Sequence, residues 1–302
     1  MSSLNRRRFL GATAGTAAYL AHSRPVSAAL AEVPPPPQIR LGKTGIEMSR
    51  LGQGTGMHGW NRQSDQTRLG FAKLVSLFQH AYHRGITFFD LADLYGTHIY
   101  FREALRSIPR EKVTILTKLW WRYDHAEGDL SSTAIEQSAR TTLERFHHEL
   151  ATDYLDIVLL HCMQSPHWDR ELAPYMHVLQ QAKEKGHIRA LGVSCHDYGA
   201  LQTAARSEWV DVLLARINPR GVKMDGSPEK IADVLQQARN NGKGILGMKI
   251  FGEGRLTDQK EECIRFAQQR GVLDAMTIGF TAPDQIDEVL KLMAKYPAKA
   301  LT

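Results

Sequence analysis

The sequence predicts an α/β protein, a (β/α)₈ TIM barrel with an N-terminal β-hairpin that plugs it. From residue 38 onward, short apolar runs alternate with longer amphipathic runs, and the cycle repeats about eight times. The chain of 302 residues is long enough for such a barrel, for which roughly 250 residues is typical. The apolar runs that we predict to be strands lie near residues 50–54, 86–90, 112–117, 154–160, 188–193, 210–215, 244–250 and 274–279.

An open, doubly wound sheet is the alternative arrangement of alternating strands and helices. It is less consistent with the sequence, because no GxGxxG segment follows an early strand and because eight units suit closure. A second domain is not indicated. We therefore predict one barrel domain over residues 38–302.

The first residues are predicted to be a targeting segment. Residues 1–28 start with basic side chains, continue with a weakly apolar run and end in small residues. Adjacent arginines followed by Phe9 and Leu10 are typical of a twin-arginine signal peptide, although a disordered basic tail is the alternative. We therefore expect the twin-arginine export machinery as a partner and a bacterial protein that is periplasmic or secreted. Residues 29–37, which end in PPPP, predict a stiff spacer.

The elements that open the domain carry clear turn and stop signals. Residues 38–49 are predicted to form a small hairpin with a turn at Lys43–Gly45, and this hairpin would plug the bottom of the barrel. In residues 69–85 apolar side chains recur at spacings of three and four, which indicates a helix that ends at Gly85.

Two later helices have recognisable starts. The run SSTAIEQSARTTLERFHHEL can be capped by Ser131 or Ser132, with glutamate following in the first turns. Another helix has Ser227 as its cap, Pro228 at the first helical position and Gly242 as its stop.

Polar side chains lie at the predicted C-terminal ends of successive strands, where barrels of this kind hold their active sites. The second strand and its loop supply Asp90 and Tyr95, the third supplies Lys118, and the fourth supplies His161. Each residue alone has an ordinary explanation as a cap, a solvated lysine or a structural histidine. Their occurrence at successive strand ends favours a common site. Asp93, in the same loop as Tyr95, is interpreted as a turn former.

These four groups suit proton transfer. We expect the Lys118 ammonium to lower the pKa of Tyr95, and the Asp90 carboxylate to keep Lys118 charged and in place. Tyr95 would then protonate a carbonyl oxygen, or take a proton from an alcohol, while His161 holds the same oxygen. None of these side chains delivers a hydride, so a cofactor must supply it.

The segments that carry these residues resemble the signatures of the aldo-keto reductase family. GITFFDLADLYG, TKLW, YLDIVLLH and ALGVSCH occur in family order, and the resemblance covers residues 38–296. It implies reduction of an aldehyde or ketone, or oxidation of the alcohol, with NADP(H) as the first expectation for the cofactor and NAD(H) as a possibility. It assigns Tyr95, Lys118, Asp90 and His161 to the catalytic tetrad, with Tyr95 as general acid.

The resemblance also implies cofactor-binding residues. Gly54 and Thr55 match the family's first loop beneath the nicotinamide. Ser194 and Cys195 stand where the family usually has Ser-Asn, and Leu214 stands at the position of a usual glutamine. The resemblance therefore implies weaker contacts with the nicotinamide carboxamide, because Cys195 replaces the asparagine and Leu214 replaces the glutamine.

Further departures lie toward the nucleotide phosphates. Met248 replaces the stacking aromatic residue, and Thr281 stands where a basic residue usually meets the 2′-phosphate. Lys249, near the expected pyrophosphate, and Arg255, near the adenosine phosphate, would compensate by binding phosphate oxygens, with Arg216 as a further candidate. The alternative is that Lys249 and Arg255 are solvated loop charges.

Tryptophans are concentrated on the loops over the predicted mouth. Trp60 and Trp120 are the predicted substrate-pocket residues, while Trp121 and Trp168 are further candidates. Such a rim would suit an apolar or ring-bearing carbonyl compound. Alternatively, these rings pack helices onto the barrel.

Composition limits the other partners. The net charge is +6, but residues 1–28 hold four arginines and no acidic residue, so the remaining chain carries +2. No basic patch interleaved with aromatic residues indicates nucleic-acid binding. Three widely spaced cysteines indicate neither a zinc site nor a disulfide framework, so we expect no metal. No apolar run is long enough for a permanent membrane span.

Two other functions stay open at this level. An exported protein would lose a freely exchanging nicotinamide nucleotide. An isomerase or lyase that uses the same four residues with a tightly held or absent nicotinamide is therefore the alternative. A catalytically inactive barrel that binds a ligand is the third hypothesis, although a complete set of four matched residues argues against it.

Overall fold

The computed structural model describes residues 33–121 and 131–299. Eight parallel strands close into a barrel, in the order β10-β3-β4-β5-β6-β7-β8-β9, which confirms the predicted fold class. The strands of the described residues are β1 (Gln38–Arg40), β2 (Glu47–Ser49), β3 (Leu51–Gly54), β4 (Phe88–Asp90), β5 (Thr114–Leu119), β6 (Leu155–Met163), β7 (Ile188–Cys195), β8 (Val212–Arg216), β9 (Gly244–Met248) and β10 (Ala275–Ile278).

Helices alternate with these strands. They are α1 (Phe71–His83), α2 (His98–Ala104), α3 (Ser132–Leu150), α4 (Trp168–Glu171), α5 (Ala173–Glu184), α6 (Tyr198–Arg206), α7 (Pro228–Asn240), α8 (Lys260–Gln269) and α9 (Pro283–Lys295). Ser131, rather than Ser132, caps α3 by accepting a hydrogen bond from the backbone N–H of Ala134. Ser227 caps α7 as predicted, with Pro228 at the first position. No described helix is both long and apolar enough to cross a membrane.

The N-terminal hairpin closes one end of the barrel. Strands β1 and β2 are antiparallel, and Gln38 pairs with Ser49. Leu41, Ile46 and Met48 are completely buried, in one cluster with residues that face the barrel interior. The predicted plug is therefore confirmed, and it is an apolar contact that excludes water from the bottom of the barrel.

Residues 33–37, the described part of the predicted spacer, lie against the barrel. The side chain of Val33 is buried, and the carbonyl of Pro37 accepts a 2.8 Å hydrogen bond from the backbone N–H of Arg50. The predicted signal peptide, residues 1–28, lies outside the described residues.

Side-chain alternation along the strands divides the core into two parts. One cluster fills the barrel and includes Phe88, Leu116, Ile157, Leu159, Ala190, Val212, Leu214 and Leu246. A larger cluster lies between the strands and the helices. Successive residues of a strand point to opposite faces of the sheet. A residue two positions after an inward-facing residue therefore also points into the barrel.

Candidate active site

The barrel places three of the predicted catalytic residues by this alternation. Phe88, Leu116 and Leu159 face the interior. Two positions further along the same strands come Asp90, Lys118 and His161. Parallel strands end at one edge, so these three side chains converge at the mouth of the barrel.

Lys118 and Asp90 form a buried ion pair. Lys118 Nζ binds Asp90 Oδ1 and also donates a 3.0 Å hydrogen bond to the carbonyl of Leu91. The side chain of Lys118 is only 1% exposed. A buried ammonium requires such a partner, because an isolated charge in the interior would be strongly destabilising.

Tyr95 reaches the same point from the short 3₁₀ turn Asp93–Tyr95. Its hydroxyl oxygen lies 3.2 Å from Nε2 of His161, and Nζ of Lys118 lies 4.8 Å from the centroid of its ring. The loop after β3 approaches the ring closely: a Cβ on Gly56 would lie 2.2 Å from Cζ of Tyr95, and one on Gly59 would lie 2.4 Å from Cδ1. A side chain at either position would therefore displace the ring of Tyr95 or the loop.

His161 is held at the end of β6 by its backbone and by aromatic neighbours. The indole N–H of Trp121 donates a 3.0 Å hydrogen bond to the carbonyl of His161, and the rings of Trp120 and His161 are 5.5 Å apart. Just beyond it the β6–β7 register is irregular, and Cys162 has φ of 63°. Nδ1 of His161 is buried without a hydrogen-bond partner among the described residues.

The protonation states differ from the sequence prediction. Burial, and then the negative charge of Asp90, raise the pKa of Tyr95 well above its ordinary value, so the expected lowering by Lys118 is wrong. The physical reason is that burial disfavours the charged phenolate, and the nearby Asp90 carboxylate disfavours it further. Burial and the charge of Lys118 lower the pKa of His161 well below its ordinary value. At neutral pH the site therefore holds a protonated phenol and a neutral imidazole.

A cavity of about 420 Å³ opens beside this cluster. Its lining extends from Asp90 and Tyr95 to Gln285 and Glu288 in the first turns of α9. Between them, the ends of β3, β9 and β10 and the segments that follow these strands form the wall. Its residues include Gly54, Gly56, Met248, Lys249, Glu253, Gly254, Lys260, Thr277, Gly279 and Thr281.

Of the predicted cofactor-binding residues, Gly54 and Lys249 line this cavity. Thr55 is buried, and its hydroxyl donates a 2.8 Å hydrogen bond to the carbonyl of Asp90. Ser194 is buried, and its Oγ accepts a 2.8 Å hydrogen bond from the backbone N–H of Cys162. Both hydroxyls therefore brace the strand ends beside the catalytic cluster.

The structure does not bring Cys195 or Arg255 to the cavity wall. Cys195 is buried in the cluster between strands and helices, because it follows the outward-facing Leu191 and Val193 in the same alternation. Arg255 is exposed. The further candidate Arg216 is ion-paired with Asp225. Cys162, Cys195 and Cys263 form no disulfide with one another.

Lys249 belongs to a charged cluster at the wall. Its Nζ lies 2.6 Å from Oε1 of Glu253, and Nζ of Lys223 lies 3.1 Å from Oε2. Although burial opposes ionisation, the hydrogen bonds and charges of these lysines lower the pKa of Glu253 to about 2. All three residues have positive φ, which is uncommon outside glycine and costs backbone energy.

The tryptophans separate into two groups. Trp60 is 64% exposed, and its ring packs edge-on against Trp120 at 5.9 Å, so both stand beside the catalytic cluster. Trp121 supports the backbone of His161 through its indole N–H. Trp168 is fully buried beneath the helices and donates to the carbonyl of Ala200, so it packs the fold instead of joining the rim.

Sequence reasoning missed several residues at this site. Gly56 and Gly59 follow β3 in the run GQGTGMHG, whose glycine spacing was the available signal. Thr277, Gln285 and Glu288 line the cavity without any distinctive local pattern.

The wall fits a nicotinamide dinucleotide. Glycines allow close approach of a flat ring to the backbone, and the buried hydroxyl of Thr277 has no hydrogen-bond partner among the described residues. Lys249 brings an ammonium to the same wall, where it is paired with Glu253. No side chain caps the start of α9 at Ala282, which leaves that end suited to an anion.

Comparison with known proteins agrees with this geometry. Residues 50–299 match the model of the "Aldo/keto reductase family". An NADH-specific methylglyoxal reductase of Escherichia coli is 27% identical over 239 residues, which cover 73% of this chain and 69% of that protein. A 6-dehydroglucose reductase of Novosphingobium aromaticivorans is 29% identical over 266 residues, covering 82% and 78%.

Solved structures share the fold. The holo form of an aldo-keto reductase from Bacillus halodurans superposes with a TM-score of 0.66 at 17% identity, covering 87% of this chain and 92% of that one. The chain therefore belongs to the aldo/keto reductase family and is an NAD(P)H-dependent oxidoreductase of carbonyl compounds.

Proposed function

We propose that Tyr95 is the general acid of carbonyl reduction in this protein and the general base of the reverse reaction. The observation that carries this assignment is the 3.2 Å approach of the Tyr95 hydroxyl to His161 Nε2, directly beside the Lys118–Asp90 ion pair. A nicotinamide nucleotide, when bound at this wall, would supply the hydride. Tyr95 donates its proton to the carbonyl oxygen, and neutral His161 holds that oxygen through Nε2.

Lys118 and Asp90 stabilise the Tyr95 phenolate that remains after the proton transfer. When Tyr95 gives up its proton, the nearby ammonium stabilises the phenolate, and the carboxylate keeps the ammonium in place. The raised pKa of Tyr95 keeps it protonated between uses, which suits an acid in the reductive direction.

The choice of nucleotide depends on the part of the cavity beside α9. The resemblance favours NADP(H) first, yet both cavity-lining lysines are paired with carboxylates, Lys249 with Glu253 and Lys260 with Glu288. A carboxylate accepts a hydrogen bond from the ribose 2′-hydroxyl of NAD(H) but repels the 2′-phosphate of NADP(H). We therefore place NAD(H) ahead of NADP(H).

The rim favours a substrate class. Trp60 offers exposed ring surface next to Trp120, whose ring lies 5.5 Å from that of His161. Aldehydes and ketones with an apolar or ring-shaped body are therefore the proposed substrates. Relatives named for methylglyoxal and 6-dehydroglucose add small and sugar-like carbonyl compounds to the substrates worth testing.

We retain export as a proposal. Residues 1–28 carry adjacent arginines followed by Phe9 and Leu10, and export of a folded protein would allow a tightly held nucleotide to travel with the enzyme. Cell fractionation and N-terminal sequencing test this proposal, with Arg6→Lys/Arg7→Lys as the comparison. Equal amounts of both proteins outside the cytoplasm would contradict it.

The first experiment is a titration of the purified protein with NADH and NADPH, followed by kinetics of Tyr95→Phe. We expect tight binding of a nucleotide and a carbonyl-dependent oxidation of it. Tyr95→Phe should lower kcat by about 10²- to 10⁴-fold, because only the hydroxyl is removed, with unchanged nucleotide affinity. Normal turnover by this variant would show that Tyr95 is not the acid.

A further inference from the structure

Asp93 is a buried carboxylate two residues before Tyr95. Its side chain has no exposure, and both its oxygens bind Arg145 at 2.8 Å, while Nη1 of Arg62 lies 2.5 Å from Oδ1. The carboxylate thus binds two guanidinium groups instead of capping the turn that contains it. The interpretation of Asp93 as a turn former does not account for these contacts.

A second carboxylate extends the same set of contacts. Glu149 binds Nη2 of Arg62 at 2.6 Å and Nη1 of Arg145 at 3.1 Å. Its other oxygen accepts a 2.8 Å hydrogen bond from His98 Nδ1, and His98 Nε2 lies 2.7 Å from Oγ1 of Thr117. We call Arg62, His98, Asp93, Arg145 and Glu149 the Asp93 network.

The network ends beside two of the proposed catalytic residues without lining the cavity. Asp93 shares its short turn with Tyr95, and Thr117 immediately precedes Lys118 in β5. Helix α3 supplies Arg145 and Glu149. A rigid helix outside the barrel is therefore joined to the backbone on either side of the Tyr95–Lys118 contact.

Arg62 also fixes the loop that covers the Tyr95 ring. Its backbone N–H donates a 2.9 Å hydrogen bond to the carbonyl of Leu94, and its own carbonyl packs so closely on Gly96 that a Cβ there would lie 2.2 Å away. The same loop carries Gly56 and Gly59 against the ring. One residue thus joins the loop, the turn and helix α3.

Stability alone is a weak reason for such an arrangement, because burying charges offsets most of the energy that their pairing returns. We propose that the Asp93 network positions Tyr95 relative to Lys118 and His161, and that its residues are positioning residues for the reaction. This inference rests on the proposed role of Tyr95.

Arg145 is the residue to change, since it is partly exposed and its loss leaves Asp93 paired with Arg62. Arg145→Gln removes the positive charge. Arg145→Lys keeps the charge but cannot form the bidentate contact with Asp93. Arg140→Gln is the matched control, because Arg140 lies on the same helix and pairs only with Glu136 among the contacts resolved here. The three variants are compared with the parent protein.

For Arg145→Gln we expect kcat to fall about 10- to 100-fold while the nucleotide Kd stays within about twofold. The alkaline limb of the kcat profile should move to lower pH, since a displaced Tyr95 is less buried. Hydrogen exchange of backbone amides over residues 92–97 should become faster. Arg145→Lys should lie between Gln and the parent, and Arg140→Gln should match the parent.

A wild-type kcat and pH profile in Arg145→Gln, with only a lower melting temperature, would overturn the proposal. An equal loss of kcat in Arg140→Gln would do the same. If the parent binds nucleotide but reduces no carbonyl compound, the proposed function fails instead. In that case hydrogen exchange of the backbone amides over residues 92–97 is the deciding measurement. Faster exchange in Arg145→Gln alone supports the proposal that the Asp93 network positions Tyr95. Equal exchange rates in Arg145→Gln and Arg140→Gln refute it.

Discussion

At the scale of single residues, the proton-transfer site depends on burial more than on charge. Tyr95 and His161 both prefer their neutral forms, because burial disfavours the phenolate and the imidazolium alike. Lys118 lies next to them in a buried ion pair with Asp90. The proposed chemistry therefore begins from a neutral phenol and a neutral imidazole that stand beside the Lys118–Asp90 ion pair.

Gly56→Ala tests how tightly the ring of Tyr95 is packed. The new methyl group would enter the ring at 2.2 Å, so the ring or the loop must move. We expect kcat to fall about 10- to 100-fold, with a small change in melting temperature. Gly226→Ala is the control, since its Cβ meets other atoms only at ordinary distances of 3.6 Å or more. Equal kcat in both variants would contradict this account.

At the scale of elements, each part of the barrel has a separate task. The hairpin β1–β2 seals the bottom, the strand ends carry the proposed catalytic side chains, and the ends of β9 and β10 with the segments after them form much of the cavity wall. Substitutions in one part should therefore leave the others intact.

Ile46→Ala tests the hairpin plug. Ile46 is completely buried against the barrel interior, so its truncation should lower the free energy of unfolding by about 2–5 kcal/mol. Catalysis by the folded fraction should not change. The neighbouring Glu47→Ala, at an exposed position of β2, should change stability by no more than about 0.5 kcal/mol. Urea denaturation measures both, and similar losses would argue against a plug.

Glu288→Gln tests nucleotide choice at helix α9. The substitution removes a negative charge from the cavity wall and releases Lys260, whose Nζ lies 2.6 Å from the carboxylate. We expect the affinity for NADPH relative to that for NADH to rise by up to about fivefold. The limit follows because an exposed ion pair contributes little more free energy than this ratio corresponds to. Glu261→Gln, which breaks the similarly exposed pair with Lys295, is the control. An unchanged affinity ratio would refute this role of Glu288.

At the scale of the whole molecule, buried histidines link stability to acid pH. Burial, together with Arg216 and Lys249, lowers the pKa of His196 to about 3, and burial with Lys118 lowers that of His161. The unfolded chain takes up protons on both residues below about pH 6.5, whereas the folded chain does not. Stability is therefore fully present above that pH and is lost as the pH falls.

Urea denaturation between pH 7.5 and pH 5 measures this effect. Each of the two histidines should lower the free energy of unfolding by about 1.4 kcal/mol per pH unit below about pH 6.5. His196→Gln should remove one of these two contributions. His83→Gln, at an exposed position of α1, should leave the slope unchanged. An identical slope in His196→Gln would show that His196 does not carry it.

The sequence by itself determined the barrel, its plug and the convergence of three catalytic candidates. Eight alternating units fix a parallel closed sheet, and the spacing of two from Phe88 to Asp90 and from Leu116 to Lys118 places both polar side chains inside. These features follow from the periodicity of apolar and polar residues, which short stretches of the sequence already contain.

Only the tertiary structure decided what surrounds each group. Asp93 lies among arginines that are 31 and 52 positions away. Burial of Tyr95, and then the charge of Asp90, raise the pKa of its phenol. Cys195 follows Ser194 but packs into the cluster between the strands and the helices. Burial and ion pairing depend on residues distant in the chain, so no local pattern reveals them.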